Sequence, residues 1–195
     1  MVQQIAFFIT LAVAVYFISR RVSKIRKNLN LGKDAGPVDR PQERLKNVLL
    51  VAFGQKKMFK RFTPAILHLF IYVGFLVINL EVLEFVIDGV AGTHRIFAPY
   101  LGGFYTLLMN VFEFLAVAVL LSCVFFLIRR NVLKIRRFWM YEMTKWPRLD
   151  ANIILVTEIV LMLAILTMNA TDQLLQQTDH HYIPTGKLFF SSTLM

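Results

Sequence analysis

Cysteine is nearly absent from this chain: Cys123 is the only one in 195 residues. A single thiol inside an apolar run cannot close a disulfide. Nor can it furnish the ligand sets of zinc or iron–sulfur sites. Acidic residues are scarce too, with 12 Asp and Glu against 22 Lys and Arg and a net charge of +10. Such a balance invites a nucleic-acid partner, but the placement of the charge argues for no nucleic acid. Twenty of the 22 cations fall within residues 20–61 and 129–148, and long uncharged runs separate the two blocks. Hydrophobic residues make up 57% of the chain, against roughly 45–50% in soluble domains. Cations clustered between long apolar runs form the positive-inside pattern of a polytopic membrane protein.

About 20 apolar residues are needed to cross the hydrocarbon core of a bilayer. Residues 5–18 make a first, slightly short span, followed by RRVSKIRK. No positive segment or small-residue cleavage site marks it as a signal peptide. Further spans are expected at 63–87, 104–128 and 152–170, and KLFFSSTLM (187–195) begins another apolar stretch. With the N-terminus outside, both basic blocks (cytoplasmic loops 19–62 and 129–151) lie inside. Residues 88–103 and 171–186 then lie outside, and their flanks carry few cations. The expected fold class is all-α: one polytopic transmembrane helical bundle of four spans plus the start of a fifth.

The punctuation agrees. Thr63-Pro64 suits a helix start, Gly102-Gly103 breaks the chain before the third span, Asp150 suits a cap on the fourth, and Pro184-Thr185-Gly186 reads as a turn. Within the long inner loop, 32–41 (GKDAGPVDRP) reads as irregular. ERLKNVLLVAF (43–53) reads as a short helix with an apolar face, lying on the membrane or on a cytoplasmic partner.

Chemistry-bearing side chains inside the spans are few. His68 sits in ILHLFIYVGF, about five residues into the second span. At ~1.5 Å per residue that is roughly 8 Å along the axis, near the inner boundary. Ionisable groups at such depth face the bundle interior and find a partner. Two readings are open: a neutral imidazole bonded to a neighbouring helix, or an axial ligand of a membrane haem, which in low-spin cytochromes needs two ligands. Glu81, Glu84 and Asp88 fall at i, i+3 and i+7 on one face of that helix. Three like charges there repel, so a proton or a cationic partner is implied. Glu113, one turn after Asn110, lies near the middle of the third span. Glu158 in the fourth reaches a depth similar to His68, where it would orient that ring. Thirteen residues separate His68 from Glu81, which puts them on opposite sides of the helix. His94 reads as a loop residue near the membrane surface. His180 and His181, in a polar turn, read as exposed or as an outer contact for haem, quinone or protons.

The stretch GQKKMFKRFTPAILHLFIYVGFLVIN (54–79) has a basic lead, a histidine early in the helix and then Gly-Phe. It resembles the second span of the membrane cytochrome b family typified by the respiratory nitrate reductase gamma subunit and the heterodisulfide reductase membrane subunit. Together with DANIILVTEIVLMLAILTMNATD (150–172) and DHHYIPTG (179–186), it is similar to the N-terminal membrane part of larger iron–sulfur-binding oxidoreductases. The resemblance implies haem b with His68 as axial ligand to the haem iron, a quinone as redox partner, and an iron–sulfur protein or domain at the cytoplasmic face. The expected location is the bacterial inner (cytoplasmic) membrane. Glu81, Glu84, Glu113, His180 and His181 are then candidates for quinone or proton contacts.

The chain departs from that pattern in one respect. His94, His180 and His181 are expected on the opposite side from His68, across ~30 Å of hydrocarbon. The second axial ligand is expected beyond Met195, in a missing C-terminal part, or in another membrane subunit, or it does not exist; the cysteines for iron–sulfur clusters are expected in the missing part or on partners. The alternative function is a non-redox anchor or assembly subunit, in which His68 and the carboxyls bond neighbouring helices. A third is an ion or proton path through Glu81, Glu113 and Glu158.

Overall fold

The computed structural model describes residues 2–32, 40–55, 58, 62–143, 146–178 and 182–194. Regular structure among them is helical throughout, as expected. Four helices are long and apolar enough to cross a membrane: Val2–Leu29, Phe62–Ala91, Gly103–Val132 and Trp146–Thr178.

By internal packing the chain divides into two units, residues 1–61 with 89–92, and residues 62–88 with 93–195. In the first, α1 (Val2–Leu29) runs through the expected span and on through RRVSKIRK. None of its residues is buried. No proline or glycine interrupts residues 2–29, so nothing in the sequence stops the helix where the charges begin. α2 (Pro41–Asn47) starts on a proline whose missing N–H costs nothing at that position, and it widens into a π-helical stretch at Val48–Phe53. Together they form the short helix expected over 43–53.

In the second unit, α3 (Phe62–Ala91) is followed by a loop and the single turn α4 (Ala98–Leu101). Gly102, with φ 50° and ψ −129°, turns the chain into α5 (Gly103–Leu127), in backbone space that a side chain resists. α5 ends in a π-helical turn at Ile128–Val132, and two short 3₁₀ turns, Arg136–Trp139 and Tyr141–Met143, lead to α6 (Trp146–Thr178). α6 begins before Asp150, so Asp150 is a residue of its early turns and not its cap. Pro147 provides the start signal instead.

The stretch 187–195, expected to start a further helix, is helical only in part among the described residues. Residues 183–188 are irregular, and α7 covers only Ser191–Leu194. The reason is polar side chains on α5 and α6 that bond the backbone of this segment. Asn110 accepts the Phe189 N–H at 2.8 Å, Thr106 donates to the Thr185 carbonyl at 2.8 Å, and Gln173 donates to the Gly186 carbonyl at 2.8 Å.

One apolar cluster joins α3, α5 and α6 through Ile78, Leu115, Ala116, Val119, Cys123, Met162, Ile165 and Leu166. A second gathers Ala98, Tyr105, Met109, Phe112 and Leu188. α3 approaches α5 closely because Gly74 lies against Val119. A Cβ at Gly74 would overlap the Val119 Cγ2 methyl. Small residues at such crossings let apolar helices pack by dispersion where lipid offers no hydrophobic drive.

Gly74→Ala is therefore expected to destabilise the purified protein by about 1–3 kcal/mol, the usual range for overpacking. Val119→Ala in the same chain should restore much of the loss. Thermal unfolding of the single and double variants in detergent checks both expectations.

Candidate functional site

The polar centre of the second unit lies where α3 ends, α5 begins and α6 ends. It is built around Arg95, the only Lys or Arg in residues 88–103. Asp88, near the end of α3, organises the loop. Its Oδ2 accepts the Arg95 N–H at 2.8 Å, and its Oδ1 accepts the Ile96 N–H at 3.2 Å and the Thr93 hydroxyl at 2.6 Å. Glu84 accepts the Phe97 N–H at 3.0 Å. These bonds hold Arg95 at φ 53°, a left-handed conformation that a non-glycine residue adopts only when its surroundings impose it.

The side chain of Arg95 is directed into the protein, where the residue is 3% exposed. Its Nε donates to Asp172 Oδ2 at 3.2 Å and its Nη2 to Asn169 Oδ1 at 2.7 Å. Its Nη1 stands 3.5 Å from Glu81 Oε1 and 4.0 Å from Glu84 Oε2, with the Tyr105 hydroxyl at 3.4 Å. Tyr105 donates to Glu84 at 2.6 Å. The Phe85 ring lies 5.6 Å from the guanidinium carbon, within cation–π range. Burial by itself pushes the Arg95 pKa down, but Tyr105 and Asp172 around it outweigh that effect and hold it above the ordinary value. The guanidinium is thus a fixed positive charge.

His94 completes the centre. Its Nε2 bonds Asp172 Oδ1 at 2.7 Å, and its Nδ1 accepts the Ile183 N–H at 3.3 Å. It is not a free surface residue but a half-buried bridge between α6 and the segment after it. A cavity of about 320 Å³ lies alongside, bounded in part by His94, Arg95, Asp172, Met168 and Tyr182.

The residues singled out in the sequence distribute as follows. Glu81 and Glu84 are buried and share Arg95, which is the cationic partner that their spacing implied. Glu113 belongs to a separate cluster: it is fully buried, and it accepts the Ser191 hydroxyl and the N–H groups of Phe190 at 2.9 Å and Ser191 at 3.3 Å. Glu158 is half-buried on α6 and makes no hydrogen bond to His68, so the orienting bond expected between them is not formed among the described residues. His180 and His181 lie outside the described residues.

His68 is exposed on α3 and makes no hydrogen bond or ion pair among the described residues. A low-spin haem held by His68 would need a second axial ligand. No second described histidine can complete the site, because both His94 nitrogens are engaged. Among the described residues no group of His, Cys, Asp and Glu is arranged to hold a metal ion.

Sequence reasoning missed Arg95, Tyr105, Asn169 and Asp172. The signal that could have found Arg95 was its isolation: one cation in a short loop that directly follows three stacked carboxylates.

Comparison with known proteins gives one weak likeness. The chain is 32% identical over 85 residues to a probable iron-sulfur-binding oxidoreductase, FadF, of Bacillus subtilis (strain 168). The matched region covers 44% of this chain but 12% of that protein's length. No family model matches the chain, and no solved structure matches it. The likeness relates this chain to an oxidoreductase.

Replacing Arg95 by Gln leaves buried carboxylates without their counter-charge. The expected cost is about 3–5 kcal/mol, the range for breaking a buried ion pair. Arg95→Lys should fall between, since a single ammonium cannot reach Asp172, Asn169 and Glu81 together. Denaturation of the purified variants in detergent measures the order.

Proposed function

We propose that the chain is a membrane electron-transfer module of an iron–sulfur-binding oxidoreductase. It would pass electrons between a membrane quinone pool and iron–sulfur proteins or domains at the basic, cytoplasmic side. Iron–sulfur clusters would sit on a partner or on residues outside this chain, since Cys123 is its one cysteine. The likeness to FadF supports the redox class, and the four long apolar helices support a bilayer setting.

The observation that carries the reading is His68, an imidazole left bare on an apolar helix. In hydrocarbon an ionisable group with no partner is costly, so this face of α3 calls for a cover that takes a nitrogen donor. A haem b between α3 and a helix of another membrane subunit, or of a further part of the protein, meets that need. When bound, such a haem supplies a one-electron carrier. His68 would hold the iron on one side, and Ile71 and Tyr72, one turn further along the same face of α3, would border the porphyrin plane. The basic runs 20–61 and 129–148 would present a cationic surface to an acidic iron–sulfur partner and fix the orientation of the spans.

A second reading is favoured by the Arg95 centre, whose guanidinium is held entirely by groups of this chain. In it, the chain is a non-redox anchor or assembly subunit, and His68 bonds a helix of a partner subunit.

The two separate on the visible spectrum of the native complex, purified from membranes and reduced with dithionite. A sharp reduced haem band is expected, and His68→Ala should abolish the part due to this site. A complex without haem, or a spectrum unchanged in His68→Ala, leaves the anchor reading standing alone.

A further inference from the structure

The three buried carboxyls around Arg95 are not equivalent. Asp172 accepts from His94 at 2.7 Å, Arg95 Nε at 3.2 Å and Gln176 Nε2 at 3.1 Å. Glu84 accepts from the Tyr105 hydroxyl at 2.6 Å and the Phe97 N–H at 3.0 Å. Both are furnished with donors as carboxylates. Glu81 is 1% exposed and neither of its oxygens receives a hydrogen bond. Beside it, fully buried Asn169 has committed its Oδ1 to Arg95 and leaves its Nδ2 without an acceptor.

Charge balance points the same way. Ionised Glu81, Glu84 and Asp172 would outnumber Arg95 by two. The remaining charged neighbour, Asp88, adds another negative charge from α3, while α5 faces the cluster with Tyr105 and Met109. Unbalanced charge buried out of water is costly. One proton reduces the excess, and it settles on the carboxyl whose oxygens receive no hydrogen bond, Glu81, with Arg95 as its charged neighbour at 3.5 Å.

We propose that Glu81 is a proton-holding site, protonated in the resting protein and able to exchange with water admitted past Arg95, whose side chain stands between Glu81 and the cavity at His94, Arg95 and Asp172. On release, the O–H bond of its carboxyl breaks and the proton passes to water in that cavity. Arg95, at 3.5 Å, neutralises the carboxylate left behind. On uptake the steps reverse. Glu81 thus gives the membrane interior a carboxyl that changes charge without moving a helix. The proposal rests on none of the haem reading and is tested without it.

The test is infrared spectroscopy of the full chain in lipid, in H₂O and after transfer to D₂O. Wild type is expected to show a protonated-carboxyl C=O band that shifts in D₂O. The band should vanish in Glu81→Gln and persist in Glu84→Gln. No band in wild type, or one that survives Glu81→Gln, overturns the assignment, and a band that does not shift in D₂O overturns the exchange with water. Thermal unfolding guards against a misfolded variant. Gln mimics the neutral acid, so Glu81→Gln should melt close to wild type, while Asp172→Asn, which disturbs a true carboxylate, should melt clearly lower. Equal losses in the two would mean that Glu81 is ionised, and the proposal would fail.

Discussion

The second unit is organised by the enclosure of one guanidinium. Arg95 leaves a loop, turns inward on a left-handed backbone and meets groups from α3, α5 and α6. Burying the ions has a desolvation cost that their attraction offsets only when the geometry is good and the other lone pairs are filled. Here Asp88 and Glu84 fill theirs with loop N–H groups, Tyr105 bridges to Glu84, and Asn169 takes the second guanidinium nitrogen. An arrangement with so many directional requirements tolerates little sliding. Apolar surfaces alone would let three such helices slip or rotate with small changes in dispersion energy. The ion cluster removes that freedom by fixing which residues of α3 and α6 stand opposite each other.

A second set of polar groups repeats the device along α5. Thr106, Asn110 and Glu113 recur at i, i+4 and i+7, which places them on one stripe. All three bond the segment from 185 to 191. That segment carries backbone groups which a helix would satisfy internally, and here side chains satisfy them instead. Tyr105 and Met109 of the first cluster alternate along α5 with Thr106 and Asn110 of the second, and the apolar residues around Ile78, Ala116 and Val119 continue the same interface toward the other end of the helices. One helix, α5, therefore serves both as the centre of the apolar core and as the strip on which the polar contacts are ordered.

Much of this architecture is visible in the sequence, because bilayer-length apolar runs and clustered cations are local signals. The helices extend beyond the expected spans where nothing in the residues stops them, as from Ile18 to Leu29 in α1. The carboxylate face of Glu81, Glu84 and Asp88 is equally legible, since it follows from helical spacing, and with it the need for a cation. The identity of that cation is not. Asp172 lies 77 residues from Arg95 in the chain, and no periodicity links them. Counting loop cations to assign topology also treats Arg95 as a marker of surface, when its backbone conformation sends it inward. The broken helix after Lys187 was hidden for the same reason: the residues that break it stand on α5 and α6.

Arg95 and His68 show how differently one chain treats two ionisable groups on or beside the same long helix. Around Arg95, α3, α5 and α6 each contribute a polar atom, so the guanidinium finds its partners within the unit. Around His68 none does, although a carboxyl on α6, Glu158, was within the set that spacing could have offered. If α3 lies in hydrocarbon, the cost of an uncovered imidazole remains to be met by something outside the described residues. A soluble setting for that face would remove the cost, but the residues flanking His68 are Leu67, Leu69 and Phe70, which water does not favour. The burden of explanation thus falls on the surface of α3 around His68, and the internal centre at Arg95 is free to be judged by its own charge balance.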